Sequence, residues 1–302
     1  MAEITISSPW PEIDGIVMRF NKTPFEVSCG PFYELRWAYG CPFDCSYCYL
    51  RGTMRGNLNN ITHRPLDAVL RAIEKAHDQI REPVTLNSGE LSDSLMIPKF
   101  MEAIADKIEE LGKHRLVTLS KAGLKAASFL YEKHRDYTIA SWSINAPEAA
   151  RRWENRTAPP EERIEAAGRC FDVGYRVRVR IDPMFPIPDW KEHYGNLADM
   201  ITSRFTPEKI ILGTPRGLRK TIMFSNDRSW TQFFSSPDAE RTGWGLKMPF
   251  RLRKEMYEFM YDKLVAAGAK KERIVMCKET SDMWKQMNLP STPQTCHCYG
   301  YG

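Results

Sequence analysis

Six short stretches with the two-residue period of a β-strand alternate with polar loops and stretches of helical periodicity. Tyr33, Leu35, Trp37 and Tyr39 alternate across residues 32–39, and further strand-like runs fall at 84–86, 116–119, 137–144, 175–181 and 209–212. Between them, Leu66, Val69, Leu70 and Ile73 form one helical face, as do Phe100, Ile104, Ile108 and Leu111. Pro159–Gly174 and Trp190–Ser203 supply two more helices. Parallel neighbours need a long crossover, usually a helix, so this rhythm restricts the chain to an α/β fold with a mostly parallel sheet. Periodicity does not decide whether the sheet stays open or curls into a partial barrel.

Either form gathers its chemistry at the carboxyl ends of the strands. The polar clusters fall there: Cys41–Cys48, Ser88-Gly89-Glu90 with Asp93, Ser120-Lys121, Ser143 with Asn145, and Asp182. The first is Cys41-Pro-Phe-Asp-Cys45-Ser-Tyr-Cys48, a CxxxCxxC loop. Three thiolates can hold three irons of a [4Fe–4S] cluster and leave the fourth iron open to a ligand. Structural zinc is the alternative, but it closes its shell with four ligands, for which Cys29 and His63 are the nearest candidates.

The other five cysteines bear on redox setting. Cys296-His297-Cys298 forms a second close group that suits metal or redox work better than disulfides, and Cys277 could join it. The N-terminus has no basic head or apolar core of a secretory signal, and no run approaches a membrane span, so a reducing cytoplasm is expected. At 302 residues, 42% hydrophobic and 27% charged, the chain can bury a large core and is not disordered. The net charge of +5 mildly favours polyanionic partners. Arg176, Arg178 and Arg180, and likewise Arg216, Arg219 and Lys220, read as solvated faces on charge alone. Residues 1–31 read as an arm, 32–213 as the repeating βα domain, and 214–302 as an α+β extension that covers the substrate. That extension holds a helix at 250–267, a possible strand at 273–277 and the aromatics Trp230, Phe233 and Trp244.

The cysteine loop, with Tyr47 just before the third cysteine, resembles the signature of the radical S-adenosylmethionine superfamily. Within it the chain resembles the spore photoproduct lyase family, in the order Cys45-Ser-Tyr-Cys48-Tyr-Leu50, Ser92-Asp93, Lys121, Ser143-Ile-Asn145, Gly174-Tyr175, Asp182-Pro-Met-Phe and Gly243-Trp-Gly245. The resemblance implies a partial (β/α)6 TIM-like barrel. Its [4Fe–4S] cluster, on Cys41, Cys45 and Cys48, would bind S-adenosylmethionine and yield a 5′-deoxyadenosyl radical that abstracts hydrogen from a substrate. Tyr47 and Tyr49 would flank the adenine and cluster, and Ser92, Asp93, Lys121 and Ser143 would hold the methionine and ribose ends. Ser88-Gly89-Glu90 resembles the Gly-Gly-Glu segment that binds the methionine amine in many such enzymes, and Asn145 and Asp182 fall at family positions. A thymine-derived or modified base in DNA is the expected substrate, with Arg216, Arg219 and Lys220 on phosphates and Trp244 stacking a base. An electron donor such as flavodoxin or ferredoxin and a monomeric state are expected too. The family presents a hydrogen-donor cysteine after its second strand, where this chain reads Asn87-Ser-Gly-Glu90; Cys296 or Cys298 could compensate, or with Cys277 could ligate a second cluster. The same radical chemistry on a peptide or small metabolite is the alternative, and a non-catalytic iron–sulfur protein the alternative of another class.

Overall fold

The computed structural model describes residues 11–30, 32–290 and 298. Its central element is an eight-stranded sheet whose spatial order follows the chain: β1 (Val17–Phe20), β2 (Phe32–Leu35), β3 (Thr85–Asn87), β4 (Arg115–Val117), β5 (Thr138–Ser143), β6 (Arg176–Ile181), β7 (Lys209–Leu212) and β8 (Ile274–Met276). The β1 strand pairs antiparallel with β2, and each later neighbour pairs in parallel. The six strands expected from the periodicity are all present, in an α/β fold.

The sheet curls. Val27–Ser28, ahead of β2, pairs with Glu279–Thr280, beyond β8. Lys278 comes within 3.7 Å of Glu90, which follows β3. Two ends of an open flat sheet could not meet in this way, so the strands form a partial barrel. Helices jacket its outside, as the apolar stripes require: Leu66–Gln79 buries Val69, Ala72, Ile73 and Ala76, and Pro98–Leu111 buries Phe100, Met101, Ile104, Ala105 and Ile108. Each fully buried side chain of the larger kind contributes about 1.5–3 kcal/mol.

Three details depart from the sequence reading. The run at 32–39 is two strands: Phe32–Leu35 belongs to the barrel, and Ala38–Tyr39 turns away to pair with Thr62–His63. The sheet also crosses both boundaries drawn along the sequence. The arm supplies β1, and the segment beyond 213 supplies β8, which pairs with β7 and whose Ile274, Val275 and Met276 are buried in the common core. Finally, Arg178 and Arg180 do not form a solvated face. Both are buried, Arg178 donating to Glu208 at 2.7 Å and Arg180 pairing with Asp182 at 3.0 Å. A strand inside a curled sheet has no wet face, and such charges persist there only when paired.

Candidate active site

Gly40 begins the cysteine loop with φ +88, a conformation that glycine adopts without cost. A Cβ there would also stand 2.8 Å from the Leu58 carbonyl oxygen. The loop is then pinned from both sides: Cys41 N donates to Leu58 O, and Asp44–Cys45 pairs with Glu154–Asn155. Arg51, on the short helix Leu50–Thr53, donates to the Cys45 carbonyl at 2.8 Å and to the Asp44 carboxylate.

Cys41, Cys45 and Cys48 all line one cavity of about 560 Å³ at the carboxyl end of the barrel. Burial pushes all three thiols up in the metal-free chain. Among the described residues, no three His, Cys, Asp or Glu side chains converge on a single-ion position. Neither candidate fourth zinc ligand lines the cavity, and the His63 ring packs against Phe100, 5.5 Å between centroids. Three thiols around open space, with no fourth ligand among the described residues to complete the set, fit a polynuclear cluster with one exposed iron.

Beyond the thiols, one wall is a polar lattice. Asp93 accepts from Ser120 Oγ at 2.7 Å, from Lys121 N at 2.8 Å and from Leu95 N at 2.9 Å. It therefore ties the loop after β3 to the loop after β4. Lys121 Nζ donates to Ser143 Oγ and lies 3.7 Å from Glu154, which also accepts from the Tyr47 hydroxyl. Glu154 forms an ion pair with Arg163 at 2.6 Å, both side chains wholly buried. Burial alone would raise the Glu154 carboxyl, but Lys121 and Arg163 prevail and hold it at about 2. Glu90 is fixed separately: Asn87 Nδ2 donates to it at 3.2 Å, and the Tyr49 hydroxyl donates to its backbone oxygen. Gly89 keeps this segment close to β4, since a Cβ there would lie 2.7 Å from Leu119 Cβ and 3.1 Å from Leu119 O. Gly89→Ala is therefore expected to displace Glu90 at a stability cost of about 1–3 kcal/mol, measured by urea unfolding.

The opposite wall is more basic. Asp182 sits between Arg180 and Arg216, each 3.0 Å away; burial raises its carboxyl, but Arg216 and Arg180 overcome that and hold it well below the usual range. The Lys278 ammonium lies 5.1 Å from the Trp244 ring centroid, 5.5 Å from that of Phe20 and 5.6 Å from that of Tyr49. Burial works against the charge on this ammonium, but Glu90, 3.7 Å away, outweighs it and holds the group above its ordinary value, and the rings pack around the cation. Trp244 stands at the turn of the hairpin Glu240–Thr242/Gly245–Lys247.

The cavity brings together Tyr47, Tyr49, Gly89, Glu90, Ser92, Asp93, Lys121, Ser143, Asp182, Arg216 and Trp244 with the three cysteines. It does not include Ser88 or Asn145. Ser88 Oγ is spent on Ser94 and the Val117 carbonyl, and Asn145 holds Pro183, Tyr194 and Glu154 in place. Arg219 and Lys220 are exposed and lie outside the cavity wall, so only Arg216 of that basic group reaches the site. Phe233 packs on Trp153 and Phe185 as core. Cys298 is buried, and its sulfur accepts from Asn87 Nδ2 at 3.2 Å; Cys296 lies outside the described residues. Glu154, Arg163 and Lys278 escape the sequence reading, and Arg180 enters it only as part of a solvated face. Only Arg180 carried a signal, its alternation with Val177, Val179 and Ile181 on one strand.

The family model for spore photoproduct lyase matches residues 16–211, the arm's strand and the βα units through β7. The chain belongs to the spore photoproduct lyase family. It is 28% identical over 198 residues to the spore photoproduct lyase of Bacillus subtilis, covering 64% of this chain and 54% of that one. The spore photoproduct lyase of Clostridium acetobutylicum is 27% identical over 187 residues, 59% of this chain and 54% of the relative. The chain thus spans about half the length of the curated relatives it matches. A solved structure of spore photoproduct lyase complexed with dinucleoside spore photoproduct superposes with a TM-score of 0.66 at 18% identity, covering 81% of this chain and 75% of the other. That likeness agrees with the partial barrel. Among the described residues, no helix is long and apolar enough to cross a membrane.

Proposed function

We propose that this spore photoproduct lyase family chain is a radical S-adenosylmethionine enzyme acting on a thymine-derived or modified base in DNA. The observation that carries the reading is the single cavity shared by Cys41, Cys45 and Cys48 with Glu90, Lys121 and Trp244. When bound at the three thiolates, a [4Fe–4S] cluster with S-adenosylmethionine supplies one-electron cleavage of the sulfonium C–S bond and a 5′-deoxyadenosyl radical. The residues do the rest. Glu90 accepts the methionine ammonium, Lys121 meets its carboxylate, and Ser92 and Ser143 offer hydroxyls to the ribose. Tyr47 and Tyr49 border the adenine, while Asp93, Asp182, Ser88 and Asn145 keep the loops in register. On the substrate side Trp244 offers a ring face to an extruded base and Arg216 a guanidinium to phosphate.

Hydrogen return is where this chain differs from its relatives in our reading. Asn87-Ser88-Gly89-Glu90 follows β3, yet Cys298 comes to Asn87 from the far end of the chain. That contact supports Cys298 as the thiol that gives a hydrogen atom to the substrate radical, with Tyr49 nearby. Cys277 accepts from Arg180 at 2.7 Å, and Cys298 also lies near that guanidinium, so the iron content decides between one cluster and two. Iron near four per chain supports one cluster, and iron near eight a second one on Cys277, Cys296 and Cys298. An oxygen-sensitive site of this kind suits a reducing cytoplasm and a small carrier protein that supplies electrons.

The decisive experiment incubates the reduced, reconstituted enzyme with oligonucleotides that carry deuterated thymine photoproduct. Deuterium in 5′-deoxyadenosine is the expected result. A protein that cleaves S-adenosylmethionine but takes no deuterium from DNA or nucleosides acts instead on a peptide or small metabolite. Intact S-adenosylmethionine after reduction makes it a non-catalytic iron–sulfur protein.

A further inference from the structure

Outside the cavity, one surface carries concentrated charge that the proposed chemistry does not use. It is built from segments packed around the cysteine loop: Gly52 abuts Lys220 and Thr221, Gly56 faces Phe224, and Asn226 donates to the Asp44 carboxylate at 2.9 Å. Asn155 pairs with Asp44 as well. Arg55, Arg156, Arg219, Lys220 and Arg228 are exposed on these segments, and among the described residues none has a carboxylate within ion-pair distance. The nearby acids are already engaged, Asp44 by Arg51, Glu148 by Arg151 and Arg152, and Asp227 by Ser229. In their midst Met223, 49% exposed, is one of the few large apolar side chains on the surface, and Arg228 donates to its carbonyl at 2.8 Å.

This strip lies one residue layer from the thiols. Ser225 Oγ donates to the carbonyl of buried Ser46 at 2.7 Å, and Ser46 directly follows Cys45. We propose that the strip docks a small acidic one-electron carrier protein, a reading that rests on the cluster assignment above. One electron leaves the carrier's reduced flavin or iron–sulfur centre and enters the cluster behind Cys45, with no bond made or broken. Opposite charges steer the encounter, and the adaptable methionine gives a small transient interface its apolar centre. Nucleic acid fits the strip less well. Phosphates gain nothing from an exposed methionine, and the cavity's own basic wall lies beside the arm and the hairpin, where Gly243 abuts Pro24.

The test titrates reduced flavodoxin into the reconstituted protein and into Arg55→Glu/Arg228→Glu and Met223→Ser variants. Calorimetry reads affinity and stopped-flow absorbance reads cluster reduction. The charge-reversal variant is expected to bind flavodoxin at least tenfold more weakly, to lose most of the salt dependence, and to be reduced by it correspondingly slowly. Dithionite-driven reduction and duplex DNA affinity should stay as in the unaltered chain. Unchanged flavodoxin binding overturns the proposal, as does a loss of DNA binding with flavodoxin binding intact. If dithionite yields no 5′-deoxyadenosine from the unaltered chain, the radical reading fails separately, and the affinity measurement still decides the docking surface.

Discussion

Cys48→Ala is expected to strip the protein of its cluster and reduce 5′-deoxyadenosine formation to background. The reason is geometric. The three cysteines line the cavity, and neither His63 nor Cys29 is placed to substitute for a missing thiolate. Two thiolates leave two irons without protein ligands, and an open cavity admits water to both. The fold should survive, because the loop is held by backbone pairing at Cys41 and Asp44–Cys45 and by Arg51, none of which involves the Cys48 sulfur. Losing one half-buried sulfur costs at most on the order of 1 kcal/mol. Iron analysis, visible absorption and product chromatography on the reconstituted variant check the first half, and thermal melting of both apo proteins checks the second. A variant that keeps a full complement of iron would mean that another side chain completes the site, and the three-cysteine assignment would be wrong.

How much of this was legible depended on whether a residue's role was local. The βα rhythm revealed β2 to β7 because amphipathic alternation is written into each segment, and the cysteine loop was visible from spacing alone. The barrel's closing strand was harder to read: Ile274-Val275-Met276 is three residues long, too short for a period to distinguish it. Ser88 and Asn145 lie outside the cavity lining, and the sequence shows that a polar residue ends a strand but not which way it turns. Both turn into the scaffold. Arg178 and Arg180 look wet in the sequence for a similar reason, since the carboxylate that neutralises Arg178 is contributed by Glu208, thirty positions away. Lys278 illustrates the limit best. Its aromatic surroundings come from the arm, the cysteine loop and the hairpin, three segments that only the curl of the sheet brings together.

Arg163→Met should be the most destabilising single change near the site, by about 3–5 kcal/mol in urea unfolding at neutral pH. Arg163 is wholly buried and donates to the carbonyls of Ala158 and Ser143, to Thr157 and to Glu154. Without it Glu154 keeps only Lys121 at 3.7 Å and the weaker support of Tyr47 and Asn145. A buried carboxylate so poorly compensated takes up a proton more readily, which gives the penalty a definite pH dependence. In the unaltered protein Glu154 titrates at about 2, below its ordinary value of 4.5, so it contributes stability above that value and loses it as pH falls towards 2. The variant never has this contribution, so the gap between the two proteins should narrow as acid is added across that window. Glu154→Gln/Arg163→Met removes both charges and should recover part of the loss, because no unpaired carboxylate remains. Lys121 then loses its anchor as well, and S-adenosylmethionine affinity should stay weak in the double variant even where stability returns. A penalty independent of pH, or a double variant no more stable than the single one, would show that Arg163 acts through packing and not through the charge it holds in place.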